Sequence, residues 1–254
     1  MAGLTASEMM YEAKILYESI ASADAPGFTP REWSVLLTQA QEKVVNELCR
    51  NLDKDEFSRK QLSNLINYGH ISSGITDGTR LTGYSDCSIV PLTSLNETVQ
   101  GFVYKPLFFY EQRGHTSTLT NIKIKEVDQE YPWANLENPY KKPSKLTFWQ
   151  LPYKDDSVIV ITNSGLLTHY YTSYIKKPYP IIVPSSTYTN TMTLEGYNLY
   201  TGLNSDGNLI RTYGIDCKLH VSLHRTIVQE SASLAKALNK EDKAFQLQQM
   251  QENT

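Results

Sequence analysis

Ser222-Leu223-His224-Arg225-Thr226-Ile227-Val228-Gln229-Glu230-Ser231-Ala232-Ser233-Leu234-Ala235, close to the end of the chain, decides how the molecule is organised. Ser222 offers an N-cap oxygen, and Leu223, Ile227, Ser231 and Leu234, joined by Val228, Ala235 and Leu238, form a stripe at helical spacing. One helix cannot bury such a stripe alone. Helical periodicity is otherwise confined to residues 1–69, so the closing helix is expected to fold back onto the opening ones. Everything between is then an insertion.

The opening carries three helix signatures. Thr5 with Glu8 makes a capping box, followed by Met9, Ala13, Leu16 and Ile20 as one apolar stripe, with Glu12, Lys14 and Glu18 mostly off it. Pro26-Gly27 breaks the chain. Thr29 then reads as N-cap, Pro30 as the first helical residue and Glu32 as the third, with Phe28 placed to staple onto Trp33. Trp33, Leu36, Leu37, Ala40, Val44 and Leu48 line one face, and Gln39, Glu42, Lys43 and Asn46 the other. A third, shorter helix is expected from Asp53 as cap, Glu56 three residues on, a Leu52–Phe57 staple, and a stripe of Leu62, Leu65 and Ile66.

Between residues 70 and 216 the texture changes. Fourteen of the 17 tyrosines and nine of the 11 prolines lie there, and such residues suit pleated surfaces, edges and turns rather than helices. The expected strands are Ser88 to Leu92, Phe102 to Tyr110, Thr118 to Val127, Leu146 to Gln150, Ser157 to Thr162, Leu167 to Ile175 and Ile181 to Val183. Val158-Ile159-Val160-Ile161 is apolar on both faces and predicts a central strand covered on both sides. Glu130 to Lys145 and much of Ser185 to Asn208 read as long loops.

The fold class expected is therefore α+β: a helical bundle of N- and C-terminal helices with an inserted antiparallel β-domain. The divisions fall at 1–69, 70–216 and 217–254, the last ending in a polar tail from Lys240 to Thr254 in which Phe245, Leu247 and Met250 are sparse apolar points. Such a tail buries little by itself and suits an arm that docks on a partner.

Composition excludes several classes of function. Mean hydropathy is −0.40, and no apolar run approaches the roughly 20 residues that span a bilayer. No membrane span is expected. The opening lacks the basic flank and apolar core of a secretory signal. Three widely spaced cysteines, Cys49, Cys87 and Cys217, do not form a disulfide framework, which points to reduced, cytosolic assembly. Residues 1–69 hold ten acidic against seven basic residues, and neither later segment is a basic arm. Tight binding of nucleic acid through its phosphates is disfavoured.

No catalytic, cofactor or metal site emerges. Cys217, His220 and His224 lie close enough to suggest zinc, but a fourth ligand and the Glu of a zincin helix are missing, so His224 reads as a helix-start residue and His220 as part of a turn. A Gly-x-Ser-x-Gly elbow is absent; Cys49 packs in a helix, His115 reads as a loop residue and His169 as a strand residue. Asp155-Asp156 suits a solvated turn, and Gly74, Gly78 and Gly83 lack the Lys and helix of a phosphate loop. Asn96-Glu97-Thr98 matches a glycosylation acceptor, which carries no weight without export.

Several phrases in succession resemble structural proteins of crAss-like bacteriophages: Glu8 to Ile20; Pro26-Gly27-Phe28 followed by Thr29-Pro30-Arg31-Glu32-Trp33-Ser34, Leu37 and Ala40-Gln41-Glu42; and Asp55-Glu56-Phe57-Ser58-Arg59. Tyr170-Tyr171-Thr172-Ser173-Tyr174-Ile175-Lys176-Lys177-Pro178 and Leu223-His224-Arg225-Thr226-Ile227-Val228, with Ala232 and Leu234-Ala235, continue the likeness. Looser counterparts occur in head-to-tail connector, or adaptor, proteins of short-tailed phages. The acidic opening and long Tyr-rich loops depart from that pattern.

The resemblance implies a non-enzymatic virion protein: a ring of about twelve copies in the neck, made in the host cytoplasm and stacked beneath the portal. Its partners would be copies of itself, the portal, other neck rings and tail components, with genomic DNA only in transit. Lys176, Lys177, Pro178, Tyr179 and Pro180 are candidate rim contacts, and Phe245, Leu247 and Met250 a candidate arm onto a neighbouring ring. Acidic helices lining a lumen would let DNA slide. The alternative is a receptor- or carbohydrate-binding module of the tail, with Trp133, Trp149 and loop tyrosines as an exposed platform. A hydrolase using His115 or His169 beside a carboxylate is a third class.

Overall fold

A computed structural model describes residues 3–18, 27–52, 55–78, 86–99, 102–127, 143–153, 156–163, 165–188, 192–194, 197–198 and 214–252. The chain divides into two units, one of Met1–Leu65, Val99–Phe102 and Pro178–Thr254, the other of Ile66–Thr98 and Val103–Lys177.

In the first unit, helix α1 spans Ala6–Glu18, α2 Pro30–Arg50 and α3 Glu56–Gln61; a 3-10 turn, Val221–Leu223, leads into α4, His224–Glu252. Both expected capping boxes form. Thr5 N donates to Glu8 Oε2 at 2.8 Å and Glu8 N to Thr5 Oγ1 at 3.3 Å; at α2, Thr29 N donates to Glu32 Oε2 at 2.7 Å and Glu32 N to Thr29 Oγ1 at 3.3 Å. Each box satisfies backbone donors that a helix start leaves open. Thr29→Ala is therefore expected to cost about 1 kcal/mol, read as a lower urea midpoint.

The aromatic staple also forms, with Phe28 and Trp33 ring centroids 5.5 Å apart, edge to face. Tyr17 completes it, 5.3 Å from Phe28 and 6.2 Å from Trp33. That third ring corrects the expected stripe on α1. The buried face is Ala6, Met9, Ala13 and Tyr17, while Leu16 is exposed and Ile20 lies outside the described residues. Helix α3 is also shorter than its pattern suggested: Asp55 provides the cap through Phe57 N at 2.9 Å, Phe57 is exposed instead of stapled, and Ile66 starts a strand. Asp53 lies outside the described residues.

Helix α4 packs on α1 and α2 and buries Ile227, Val228, Ser231, Ala232 and Ala235, leaving Leu238 exposed. Asn239 Nδ2 donates to the Tyr17 hydroxyl at 3.2 Å, and Lys43 pairs with Glu230 at 2.6 Å. The ion pair is largely solvated, so apolar burial, not charge, holds the helix. The turn before α4 is capped by His220, whose Nδ1 accepts from Ser222 N at 3.3 Å; Ser222 is not the capping residue.

A polar seam on α2 escaped the periodicity argument. Ser34, Thr38 and Gln41 are buried and hold the extended segment 179–183 in place of a strand partner. Gln41 Nε2 donates to Tyr179 O at 2.8 Å, Ile181 N to Thr38 Oγ1 at 3.1 Å, and Val183 N to Ser34 Oγ at 3.0 Å. Ile181 to Val183 is thus no regular strand: Ile182 makes a single bridge to Ile215, and Thr38 and Ser34 take the neighbouring amide hydrogens. Buried backbone groups must find partners somewhere, and here the helix supplies them.

The second unit is built on an eight-stranded sheet. Its strands are β1 (Ile66–Ile71), β2 (Thr76–Asp77), β3 (Cys87–Pro91), β6 (Pro106–Thr116), β7 (Ile122–Glu126), β8 (Thr147–Tyr153), β9 (Ser157–Ile161) and β10 (Leu167–Lys176), in the order β1-β10-β6-β7-β8-β9-β3-β2. Among the described residues there are also two short ribbons, β4 (Glu97–Val99) with β5 (Phe102–Tyr104) and, in the first unit, β11 (Thr193–Leu194) with β12 (Tyr197–Asn198). The sheet is mixed, which corrects the antiparallel expectation: β7 and β8 run parallel, Lys123 opposite Thr147 through Glu126 opposite Gln150. Residues 127–146 link them, and a parallel pair needs a connection of that long kind. His115 lies within β6, not in a loop.

Strand β9 sits between β8 and β3 and is covered on both faces, as its unbroken apolar run required. Val158 and Val160 join Ile71, Val90, Ile124, Phe148 and Tyr170, while Ile159 and Ile161 join Cys87, Trp149 and Leu151. Adjacent residues on a strand point to opposite faces, so one run feeds two cores. No described helix is long and apolar enough to cross a membrane.

Candidate functional site

The end of the sheet near the close of β10 forms an open cleft of ≈ 230 Å³. Its walls include Asn96 and Glu97 from the start of β4, Lys105 just before β6, and Tyr174, Lys176 and Lys177 at the close of β10. Antiparallel pairing brings these separate stretches together, with Lys176 opposite Pro106 and Ile175 opposite Phe108. Lys176 Nζ lies 3.2 Å from Glu97 Oε2, and Lys105 Nζ lies 2.7 Å from Asp156 Oδ1. The Tyr174 hydroxyl accepts from Asn67 Nδ2 at 2.9 Å. Two lysines of the cleft wall are therefore ion-paired, Lys176 with Glu97 and Lys105 with Asp156, and Lys177 adds a third lysine to its lining.

Of the residues expected at a rim, Lys176 and Lys177 line this cleft and are half-buried, as is Tyr179. Pro178 and Pro180 are buried, and Tyr179 O is bound by Gln41. The backbone of Phe245, Leu247 and Met250 continues α4, but their side chains lie outside the described residues. Lys105, Glu97 and Asn96 were missed in the sequence because they lie far from Lys176 along the chain, and only strand pairing joins them.

The Cys217, His220 and His224 group is dispersed among structural tasks. His224 Nδ1 accepts from Leu4 N at 3.0 Å, which leaves Nε2 to donate to Leu219 O at 3.2 Å. His220 caps the turn, and Cys217 Sγ donates to Gln41 Oε1 at 3.3 Å. Among the described residues no group of three or more His, Cys, Asp or Glu is placed to hold a metal ion.

Three other histidines gather on one face of the sheet. The His70 ring in β1 stacks on Tyr171 at 4.5 Å and on His169 at 5.4 Å, and His115 lies 4.8 Å from Tyr171. Strand alternation across β1, β10 and β6 produces this cluster, since His70 faces Tyr171 and His169 faces His115 in register. Among the described contacts none of the three pairs with a carboxylate; His169 Nδ1 meets Thr168 Oγ1 at 3.0 Å. Among the described residues the arrangement shows no acid–base pair of the kind a hydrolase uses.

Trp149 is 7% exposed and belongs to an apolar core, so it cannot serve as an open sugar platform. Trp133 and Asp155 lie outside the described residues. All three cysteines are buried, and burial pushes the Cys49 and Cys217 thiols up to about 11. Since the thiolate is the reacting form, native protein at pH 8 is expected to react with a colourless disulfide reagent at least about tenfold more slowly than protein in denaturant. The rate of thiolate release measures it.

Comparison with known proteins gives the family. The chain belongs to the phage tail ring protein 3/4 family, which it matches over residues 4–246. It is similar to a protein of Bacteroides phage crAss001 named "Ring protein 4/5", 26% identical over 247 residues that cover 92% of this chain and 93% of the relative. The resemblance read from the capped helices and the closing phrases thus agrees with these comparisons.

Proposed function

We propose that the protein is a ring subunit of the virion neck, an adaptor that joins the portal to the tail and forms part of the DNA conduit. Membership of a ring-protein family across nearly the whole chain carries this reading. About twelve copies would close the ring by head-to-tail contacts, in which each subunit presents one surface to a neighbour and a different one to the next. The helices of residues 1–69 would join those of 217–254 as the bundle of the ring, with residues 70–216 as the inserted β-domain.

In this reading Lys176, Lys177, Pro178, Tyr179 and Pro180 contribute to the rim, and Phe245, Leu247 and Met250 form the arm onto the portal or an adjacent ring. DNA passes through without being held, consistent with a chain in which acidic residues outnumber basic ones, 27 to 24. The protein performs no chemistry of its own. Antibody raised against the purified chain and labelled with gold is expected to decorate the head–tail junction of virions disrupted enough to expose it. Label confined to tail appendages would overturn the adaptor reading and favour a receptor- or carbohydrate-binding module.

A further inference from the structure

We propose that His115 and His169 chelate one zinc ion on the face of the sheet opposite Tyr170. The two residues lie directly across from each other on β6 and β10. Their ring centroids are 5.8 Å apart, with the planes tilted by 57°. Zinc holds imidazole nitrogens at about 2.1 Å in a tetrahedral arrangement, which sets two such rings about 5 Å apart. A side-chain adjustment of under about 1 Å brings both onto one ion. The donor set is imidazole, which suits zinc and not the oxygen-seeking magnesium or calcium.

A bulge prepares the site. Between Leu167 and His169 the pairing with β6 slips by one residue, so Thr168 has no residue opposite it. Bulges of this kind re-aim a side chain. Thr168 Oγ1 donates to His115 O at 3.1 Å and lies 3.0 Å from His169 Nδ1. A hydroxyl has one proton, already given to the carbonyl, so His169 Nδ1 is the donor in the second bond. The neutral ring then carries its lone pair on Nε2, with its other nitrogen anchored as metal-bound imidazoles are. Thr168 is thus a positioning residue.

His70 is not a ligand. Its ring lies face to face with Tyr171 at 4.5 Å, and parallel to His169 within 8° at 5.4 Å. Parallel stacked rings direct their nitrogens alongside each other, not at one point. Two protein ligands leave the remaining positions to water, in keeping with described residues that offer no ligand group of three. Arg113, on the same face, is engaged by Glu111 at 2.7 Å, and Lys123 stands a strand further off on β7. The guanidinium charge beside the ion is thereby offset. The site goes beyond the ring reading and does not depend on it.

The test is nitrogen NMR of the histidine side chains in the full chain, titrated near neutral pH with zinc chloride and separately with magnesium chloride. Zinc is expected to saturate at one ion per chain, shifting Nε2 of His169 and a ring nitrogen of His115, with magnesium inert. His115→Ala and His169→Ala each weaken zinc binding at least about tenfold, and His70→Ala leaves it in place. Thr168→Val weakens it about tenfold while Thr168→Ser keeps it, because the hydroxyl orients the ring. Backbone amide signals of β8 and β9 report that each variant is folded. No saturable zinc binding, or a shift at Nδ1 of His169 instead of Nε2, overturns the proposal. So does a loss in His70→Ala as large as that in His115→Ala, or an equal response to magnesium. Shifts no larger at His115 and His169 than at His220 would mean an adventitious ion only, and overturn it as well.

Discussion

Trp33→Ala is expected to destabilise the helical unit by about 3–5 kcal/mol, the range found when a buried aromatic is cut back to a methyl group. Trp33 is 1% exposed and stands between Phe28 and Tyr17, each in edge-to-face contact with it. Its loss opens a cavity and removes two ring contacts together. It also releases the staple at the start of α2, since Phe28 then keeps only Tyr17 as a ring partner. A domain has only about 5–15 kcal/mol to lose. The urea transition of far-ultraviolet circular dichroism, dominated by these helices, should move to markedly lower denaturant. A loss below about 1 kcal/mol would mean that the three rings do not form the cluster described.

A comparable loss is expected in the other unit from Phe148→Ala, again about 3–5 kcal/mol. Phe148 is fully buried in the core that also takes Ile124, Val160 and Tyr170. Gly114 on β6 makes room for it: a Cβ there would lie 3.3 Å from the Phe148 ring and 2.6 Å from Leu167 Cδ1. Gly114→Ala fills that space from the opposite side and should cost about 1–3 kcal/mol through overpacking. The readout is amide hydrogen exchange in β6, β7 and β8, where protection should fall in both variants. If Phe148→Ala leaves exchange in these strands unchanged, the register that places Phe148 beside Ile124 is wrong.

Local signals with a short reach were legible in the sequence. Thr29, Pro30 and Glu32 specify a helix start within a few residues, and that start is where the structure has it. Val158 to Ile161 specify burial on both faces because alternation leaves no polar side. What depended on distant partners was not legible. Tyr17 displaced Leu16 from the buried face because of rings on another segment. The parallel pairing of β7 with β8 depends on a connection whose path no local pattern encodes. Ser34, Thr38 and Gln41 looked unremarkable because their partners, at 179–183, lie far along the chain.

The candidate site followed the same division. Lys176 and Lys177 stood out as a basic pair beside prolines, but Lys105 comes beside them only through the pairing of β10 with β6, and Glu97, on β4, meets Lys176 only in the folded chain. The tyrosine-rich middle invited a binding platform, yet Tyr170 is wholly buried, with its hydroxyl donating to Gln150 Oε1 at 2.8 Å. Aromatic content alone does not separate a core from a surface. Strand register does, because a shift of one residue exchanges the two faces.

Electron microscopy of the purified protein mixed with isolated portal rings addresses the adaptor role most directly. The account predicts a closed ring of about twelve subunits stacked coaxially on one face of the portal, or on the next neck ring when that ring is added. Bare portals, with the protein remaining free in the presence of portal and neck rings alike, would contradict it.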